Sequence, residues 1–427
     1  MDRGMRNYRA GLLAVSALLA GTASLRAPAQ QIVPPPATEP AAPATPASPE
    51  APPVVIRVQT IAESRWEGVL EAFSLQEGLR LRPAGSAVRS IAAADVVRIK
   101  TGSTPVTPGA GHWIVRLAGG DVLYGRPVDS TAEGLRLETA ELGVLDLSLD
   151  VLCGLHAPVP AAAAGADRLS AFERASYGRE DAVLMANGDV LRGFVTAVSG
   201  QHVVIESGTE ARQVPLGLVV AVRLAAGEPV TPTGLYGVAF LAQGGRVTLT
   251  EMTWAADHVQ ARLRAGPVVR FPAGELLSLE VYGGRWEWLA RRAPTSFQHT
   301  PMLGLDFGWA ANRNVLGGLL RVAGQDYEHG LGVHSRCRLV YDLGGGFTVF
   351  TTSFGMDDDS GPLADVAVLV LIDGQPRFEQ SQVRVGKLHG PLRLDVTGAR
   401  RLELLVDFGD HGDIQDRFDW IEPALVR

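Results

Sequence analysis

The sequence predicts an all-β protein in which a series of small β repeats is followed by a β-sandwich. Three observations carry this prediction. The 427 residues include 49 glycines and 27 prolines, and this composition favours short strands and turns over long helices. Short segments alternate apolar and polar residues, which is the period of a strand with one buried face. A pattern of such segments recurs before about residue 283, and recurrence indicates a repeated structural unit.

Residues 1–29 have the three parts of a secretory signal peptide. Three arginines precede an apolar core, Gly11–Ala20, and Ala27-Pro28-Ala29 resembles a cleavage site. The apolar core is shorter than the roughly 20 residues that span a bilayer. We therefore expect a secreted, periplasmic or cell-surface protein with no transmembrane segment after cleavage. The alternative is that the segment stays in place as an uncleaved membrane anchor.

Residues 30–53 are rich in alanine and proline. Such a segment cannot bury enough apolar surface to offset the entropy lost on ordering. We predict a disordered Ala/Pro-rich linker, with folded structure starting near Val54.

The repeats are predicted from weak internal similarity. The clearest copy turns at Asn187-Gly188, a pair that supplies the positive φ angles of a tight hairpin. Each copy is expected to hold about four short strands. The pattern resembles that of Sm-like or SH3-like small barrels, and a generic β-meander explains it as well. The predicted β repeats are residues 54–100, 112–156, 181–225 and 236–283.

Proline-bearing spacers of different lengths separate the copies. Unequal spacers exclude the fixed pitch of a solenoid, so we expect separate beads or paired barrels that act as spacer or assembly modules. Within one spacer region, Ala171–Ala175 is predicted to form a single short helix.

The charge pattern excludes a nucleic-acid partner. The formal net charge is −7, and no cluster of Lys and Arg forms the basic surface that phosphate binding needs. Cys153 and Cys337 are the only cysteines, so there is no CxxC metal site. A disulfide between them and two buried free thiols are both compatible with the sequence.

The last third of the chain reads as strands joined by polar turns. The segment Val366–Phe378 alternates apolar and polar residues and turns at Asp373-Gly374. Strands of this kind pack as two facing layers. The polar side chains collect in the turns, where a sandwich usually carries its binding surface.

Six motifs follow one another in this part of the chain: Trp309, Gly330-Leu331-Gly332-Val333-His334, Leu339-Val340-Tyr341-Asp342-Leu343, Gly355-Met356-Asp357-Asp358, Asp373-Gly374 and Asp416-Arg417-Phe418-Asp419-Trp420. In this order they resemble the NPCBM (NEW2-type) family of carbohydrate-binding modules. The resemblance covers residues 286–427. It implies a jelly-roll β-sandwich that binds glycan without catalysis. Arg417-Phe418 departs from the His-Ala-like pair expected before the final Asp-Trp.

Sugar recognition combines an aromatic face with fixed polar groups that hydrogen-bond hydroxyls. The candidate ligand-binding residues in the turns and beside them are Trp309, His334, Asp357, Asp358, Asp413, Asp416, Phe418 and Trp420. Two of them have a structural alternative. Trp420 precedes the last strand and can anchor the core, and His334 can cap a turn through a backbone hydrogen bond.

Closely spaced aspartates near the C-terminus raise the question of a metal. Asp410, Asp413 and Asp416 are candidate calcium ligands, since hard cations need several oxygen atoms. The EF-hand order is absent, so a solvated acidic turn explains the aspartates equally well, and no other cofactor is expected.

Paired carboxylates also occur in glycosidases. Asp357 and Asp358 are neighbours in sequence whose side chains point apart, so we expect no enzyme.

These observations lead to one expected function and one alternative. We expect an exported, non-catalytic carbohydrate-binding protein whose sandwich binds a glycan or glycoconjugate through its end loops. The alternative is a structural cell-envelope protein that uses the sandwich to contact a protein partner. A glycoside hydrolase is a further, weaker alternative.

Overall fold

The computed structural model of the protein describes residues 54–62, 65–130, 134–158, 164–225, 231–255, 257–302 and 304–427. The predicted signal peptide (1–29) and linker (30–53) lie outside these residues. Nearly all regular structure in the described residues is β-strand. The all-β prediction is therefore confirmed.

In the described part of the chain, twenty strands precede residue 284, in four successive groups of five. The first group is β1 (Val55–Thr60), β2 (Arg65–Ser74), β3 (Gly78–Pro83), β4 (Arg89–Ile91) and β5 (Val96–Thr101). The second is β6 (Trp113–Leu117), β7 (Val122–Ser130), β8 (Gly134–Thr139), β9 (Gly143–Ser148) and β10 (Leu152–His156). The third is β11 (Asp181–Met185), β12 (Val190–Val198), β13 (His202–Ser207), β14 (Glu210–Pro215) and β15 (Val219–Arg223). The fourth is β16 (Tyr236–Leu241), β17 (Arg246–Ala255), β18 (His258–Leu263), β19 (Val268–Pro272) and β20 (Leu276–Tyr282).

Each group has the same topology. Its first four strands form an antiparallel meander, and its fifth strand returns to pair with its first. One turn of 3-10 helix precedes each fifth strand: Ala93–Asp95, Leu149–Val151, Leu216–Leu218 and Ala273–Glu275. The likeness to Sm-like or SH3-like barrels stays a prediction.

The number of strands in each group differs from the sequence expectation of about four. Residues 214–222 read as one apolar run, but the 3-10 turn Leu216–Leu218 divides it into β14 and β15. These two strands then pair with different neighbours, β13 and β11. In the third group the final strand is hidden in the sequence because the turn that separates it from β14 is itself apolar.

The groups associate in pairs that do not follow chain order. The fifth strands of the first and fourth groups pair with each other, and so do those of the second and third groups. Strand β17 also pairs with β2 and, at Arg246 opposite Val122, with β7. One continuous hydrophobic core runs through all four groups. The groups are therefore joined to one another and are not independent beads.

One α-helix, α1 (Ala164–Arg174), occurs among the described residues. It is longer than predicted because its start lies in the alanine-rich spacer. Leu169 and Phe172 pack against Leu184 and Ala221 of the third group. None of the helices described has the length and apolar character needed to cross a membrane.

The remaining thirteen strands form the C-terminal part: β21 (Trp286–Trp288), β22 (Ser296–His299), β23 (Ala310–Ala311), β24 (Leu320–Val322), β25 (Gln325–Tyr327), β26 (Gly330–His334), β27 (Cys337–Asp342), β28 (Val349–Met356), β29 (Asp365–Ile372), β30 (Gln375–Arg384), β31 (His389–Asp395), β32 (Arg401–Phe408) and β33 (Arg417–Val426). One sheet has the order β23-β26-β33-β28-β31 with β21 on β33, and the other has the order β22-β27-β32-β29-β30. Strands β24 and β25 form a separate hairpin. The predicted β-sandwich is confirmed.

The two sheets enclose a second hydrophobic core, which contains Phe354, Phe418 and Trp420. Cys337 is buried in β27, Cys153 is half-buried in β10, and both are free thiols. Of the two arrangements compatible with the sequence, the structure has the unpaired one.

The sandwich is packed against the first and fourth groups. Trp286 and Trp288 share a buried cluster with Tyr236 and Tyr282 of the fourth group. The Trp286 indole Nε1 also donates to the carbonyl oxygen of Val96 at 3.1 Å. Residue 286 therefore begins the sandwich by sequence, but its side chain lies in a core that the sandwich shares with the repeats.

Candidate functional site

Strand register brings the predicted site loops to one end of the sandwich. His334 lies opposite Arg417, and Met356 lies opposite Phe418. The chain continues from both strand ends into loops, where the Asp357 amide donates to the Arg417 carbonyl at 2.9 Å. We call the described residues of the loops 300–309, 357–364 and 409–416, which meet there, the end-loop surface.

His334 is buried at the base of the end-loop surface. Its ring stacks on Phe307 with centroids 4.2 Å apart and an interplanar angle of 11°. Its Nδ1 lies 3.0 Å from the Ser335 carbonyl oxygen. Burial lowers the pKa of His334, so the imidazole is neutral at pH 7 and Nδ1 donates to that carbonyl. His334 thus makes the capping bond that was its structural alternative, and it holds Phe307 in place.

Asp413 and Asp416 are also buried at this end, and each holds a loop in place. The Asp416 carboxylate accepts from Ser335 Oγ at 2.6 Å and from the Asp365 amide at 3.1 Å. Burial raises the pKa of Asp416 to about 6. Asp413 accepts from the Met302 amide at 2.7 Å. These bonds tie the loops 300–309 and 409–416 to the sandwich.

The calcium candidates do not converge. Asp413 and Asp416 each bind a different neighbour, and the exposed Asp410 carboxylate lies 3.9 Å from Arg384. Among the described residues, the one group of metal-ligating side chains with ligand atoms within 4.8 Å of one another is Glu280, Glu328 and His329. The expected calcium ligand set is therefore corrected: its three carboxylates are committed to separate contacts.

Asp357 and Asp358 hold the segment that crosses this end of the sandwich. Asp357 accepts from the Arg321 and Asp359 amides at 3.2 and 3.0 Å, and from the Asn314 side chain at 3.4 Å. Asp358 accepts from the Ala323 and Gly324 amides at 2.9 and 2.8 Å. Asp357 is 1% exposed, so its role is to order the loop. Of these two aspartates, only Asp358 is partly exposed to solvent.

Asp419 lies beneath this loop beside Asp357, and sequence analysis did not select it. It is 0% exposed, and within the described residues neither of its oxygens has a hydrogen-bond partner of normal geometry. Burial, followed by the adjacent Asp357 carboxyl, raises the pKa of Asp419 to about 10. Asp419 is therefore protonated at neutral pH. A carboxyl pair sealed in this way cannot reach a glycosidic bond.

Two predicted aromatic contacts are wrong. Phe418 and Trp420 are both 0% exposed and pack on each other and on Phe354, with centroids 5.2 to 6.0 Å apart. Two residues apart on β33, they share one face of the strand, and that face packs in the core between the two sheets. Trp309 is half-buried against the same core and keeps an accessible part. Phe307, also half-buried, lies two residues away and was missed, although Phe307-Gly308-Trp309 is itself an aromatic cluster in the sequence.

A charged cluster at the junction of sandwich and repeats was also missed. Buried Arg98 of β5 donates to Glu280 of β20 at 2.7 Å and to Glu422 of β33 at 3.0 Å. Glu280, 0% exposed, also contacts His329 Nε2 at 2.8 Å. The signal available in the sequence was a single charge inside each of two apolar runs, residues 96–99 and 276–282. Arg98 contacts two members of the group Glu280, Glu328 and His329, namely Glu280 at 2.7 Å and Glu328 at 3.6 Å.

Comparison with known proteins finds one family match, and it lies within the sandwich. Residues 292–426 match the NPCBM/NEW2 domain family. No curated protein sequence matches the chain.

Several solved structures are similar at low identity. One is the CBM51 of Clostridium perfringens GH95 in complex with methyl-galactose: 19% identity, 33% of this chain and 99% of the other, TM-score 0.30. A second is the CBM51-2 and INT domains of Clostridium perfringens ZmpB with GlcNAc: 20% identity, 42% of this chain and 37% of the other, TM-score 0.30. A third is the tandem CBM51 modules of the Streptococcus pneumoniae SP3-BS71 family 98 glycoside hydrolase: 10% identity, 87% and 99% coverage, TM-score 0.30. The chain spans less than half of the ZmpB chain. The family match itself covers residues 292–426, which is about a third of the chain.

Proposed function

We propose that the protein is an exported, non-catalytic carbohydrate-binding protein that binds a glycan through the end-loop surface. The observation that carries this proposal is the match of residues 292–426 to a family of carbohydrate-binding modules, which coincides with the sandwich. The repeats act as spacer or assembly modules that hold the sandwich.

The contacts at the end-loop surface fit a shallow sugar site. Phe307 and Trp309 offer aromatic surface for the apolar face of a pyranose ring. Phe307 is fixed by its stack on His334, so little entropy is lost on binding. Asp358 and Arg417 lie at the same end and supply an acceptor and donors for hydroxyl groups. In this proposal Asp357, Asp413 and Asp416 shape the loops and do not touch the sugar.

One observation favours the alternative, a structural envelope protein that binds another protein. Large apolar side chains are exposed in and next to the end-loop surface: Met302, Leu305, Leu316, Leu319, Leu363 and Ile414. Exposed apolar residues that lie close together mark a protein-contact surface.

A glycan array separates the two functions. The mature full-length chain should be used, because Trp286 and Trp288 bury their side chains partly against the repeats. Binding to a defined set of glycans that is lost in Trp309→Ala and kept in Leu363→Ser supports the glycan function. An array without binders, together with self-association or partner binding that Leu363→Ser removes, would favour the envelope function.

A further inference from the structure

The two pairs of repeat groups touch each other where the second group meets the fourth. Val122 of β7 lies opposite Arg246 of β17 there. We call this contact the pair joint. Its described residues include Asp121, Val122 and Glu141 of the second group, and Gln243, Arg246, Thr248 and Arg264 of the fourth. The interactions at this joint therefore help to decide how firmly the two pairs are held together.

One buried carboxylate of the pair joint has a cation as its partner. Asp121 is 2% exposed. It accepts from Thr248 Oγ1 at 2.7 Å and lies 2.9 Å from the Arg264 guanidinium. Arg264 also donates to the Ala118 carbonyl oxygen at 3.0 Å. The charge of Asp121 is therefore balanced by an arginine on the other side of the joint.

The second buried carboxylate, Glu141, has no such partner. It is 3% exposed and accepts from the backbone amide of Gln243. Among the described residues, the charged group that acts on it is another carboxylate, Glu275 of the fourth group. The Glu275 backbone carbonyl accepts from the Ala242 amide at 2.9 Å, which holds Glu275 next to the turn that contains Gln243. Burial, together with the Glu275 charge, outweighs the Gln243 hydrogen bond and raises the pKa of Glu141 to about 7.

The fourth group also offers an acceptor to a protonated Glu141. Gln243 is half-buried, and its side-chain Oε1 is buried without a hydrogen-bond partner among the described residues. A protonated carboxyl carries an O–H donor, whereas an ionised carboxylate can only accept. The protonated form of Glu141 therefore supplies what Gln243 lacks, and the ionised form adds a further acceptor to a site that already has one without a donor.

We propose that the pair joint is a pH-sensitive contact, which protonated Glu141 closes and ionised Glu141 loosens. Ionisation leaves a buried carboxylate without a cation and facing Glu275, and such a charge is unfavourable away from water. Glu141 lies in the turn between β8 and β9, so movement of this turn toward solvent relieves the charge and breaks the bond to the Gln243 amide. This inference goes beyond glycan binding, since it concerns how the repeats hold together.

The direction of the effect follows from proton linkage. Glu141 in the closed joint holds its proton more tightly than an exposed glutamate does, because its pKa is raised from 4.5 to about 7. The contribution of Glu141 to closing is therefore full below pH 4.5 and is lost as pH rises through 7. The joint is expected to open more often in neutral and alkaline solution than in mild acid.

Hydrogen exchange at the Gln243 amide of the full-length chain tests this, after correction for the intrinsic effect of pH on exchange. In the wild type, protection of this amide should fall by about tenfold or more between pH 5 and pH 8, since each unit of pKa difference is a factor of ten. Glu141→Gln keeps the size of a protonated glutamate and an oxygen that accepts from the amide. Its protection should be the same at both pH values.

Two further variants separate the local effect from a general one. Glu275→Gln removes the charge that faces Glu141 and should make the fall in protection smaller than in the wild type. Glu206→Gln removes an exposed carboxylate of the third group, outside the pair joint, and is the matched control. It should lose protection between pH 5 and pH 8 as the wild type does. Thermal melting of every variant verifies that the fold is intact.

Two results would overturn the proposal. Equal protection of the Gln243 amide at pH 5 and pH 8 in the wild type would show that the joint does not respond to pH. A fall in Glu141→Gln as large as that in the wild type would show that another group causes the response. If Glu141→Gln does not fold, the wild type and Glu275→Gln decide between the outcomes, because an equal fall in these two proteins contradicts a contact governed by Glu141 and Glu275.

Discussion

Arg98 and Glu280 lie on paired strands of two different repeat groups, and their side chains meet at 2.7 Å with almost no exposure to solvent. Arg98 also reaches Glu422 in the last strand of the sandwich, and His329 of the sandwich contacts Glu280. One ion pair therefore connects the first group, the fourth group and the sandwich.

Breaking this pair from one side should destabilise the protein strongly. Arg98→Met leaves the Glu280 carboxylate buried without its guanidinium. We expect the free energy of unfolding to fall by about 3–5 kcal/mol, measured by urea denaturation with tryptophan fluorescence. Arg98→Met/Glu280→Leu should recover part of the loss because no unpaired carboxylate remains. The exposed pair Arg126–Glu138 supplies the control, since Arg126→Met should cost at most about 1 kcal/mol. Equal losses for the two single variants would contradict this account.

The same pair predicts how stability depends on acid. Burial opposes the charge on Glu280, but the hydrogen bond from His329 and the charge of Arg98 outweigh it. The pKa of Glu280 falls from 4.5 to about 2. A carboxyl whose folded pKa is below its unfolded value stabilises the fold above pH 4.5 and loses that contribution as pH falls toward 2. Glu280→Gln should therefore flatten the decline in unfolding free energy between pH 4.5 and 2. If Glu280→Gln left the decline in unfolding free energy between pH 4.5 and 2 unchanged, Glu280 would not be ionised in the folded protein.

Asp419 predicts the opposite dependence. Its pKa is raised from 3.8 to about 10, so the folded state holds a proton that the unfolded chain releases. This contribution is full below pH 3.8 and declines as pH rises toward 10. Asp419→Asn should match wild type near pH 4 and be more stable at pH 8, with a difference that grows by up to about 1.4 kcal/mol per pH unit. The comparison near pH 4, where the side chain at position 419 is uncharged in both proteins, is the internal control. A stability loss for Asp419→Asn at pH 8 would indicate an ionised Asp419.

Substitutions of two tryptophans distinguish a role in core packing from a role in ligand binding. Trp420→Ala removes a fully buried ring and should cost about 3–5 kcal/mol. Trp309→Ala removes a half-buried ring and should cost less, while abolishing binding at the end-loop surface. Urea denaturation gives the first quantity and glycan titration the second. Loss of glycan binding in a folded Trp420→Phe variant, with Trp309→Ala binding normally, would reverse these assignments.

Several features follow from local sequence because they depend only on neighbouring residues. Alternating segments and turns such as Asn187-Gly188 and Asp373-Gly374 predicted the strands and hairpins, and the ordered motifs of the last third predicted the sandwich. The sequence placed the polar turns at one or both ends of the sandwich, and the register of β26 and β28 against β33 fixes the end at which the candidate loops emerge.

What only the tertiary structure decided is the direction in which each side chain points and which distant strands meet. Phe418 and Trp420 lie on the face of β33 that packs in the core between the two sheets, and no local pattern distinguishes that burial from a binding face. The pairing of the first group with the fourth, through β5 and β20, joins residues 182 positions apart and creates the Arg98–Glu280 pair. Local spacing determines which strands can form, whereas burial in a shared core selects which of them become neighbours.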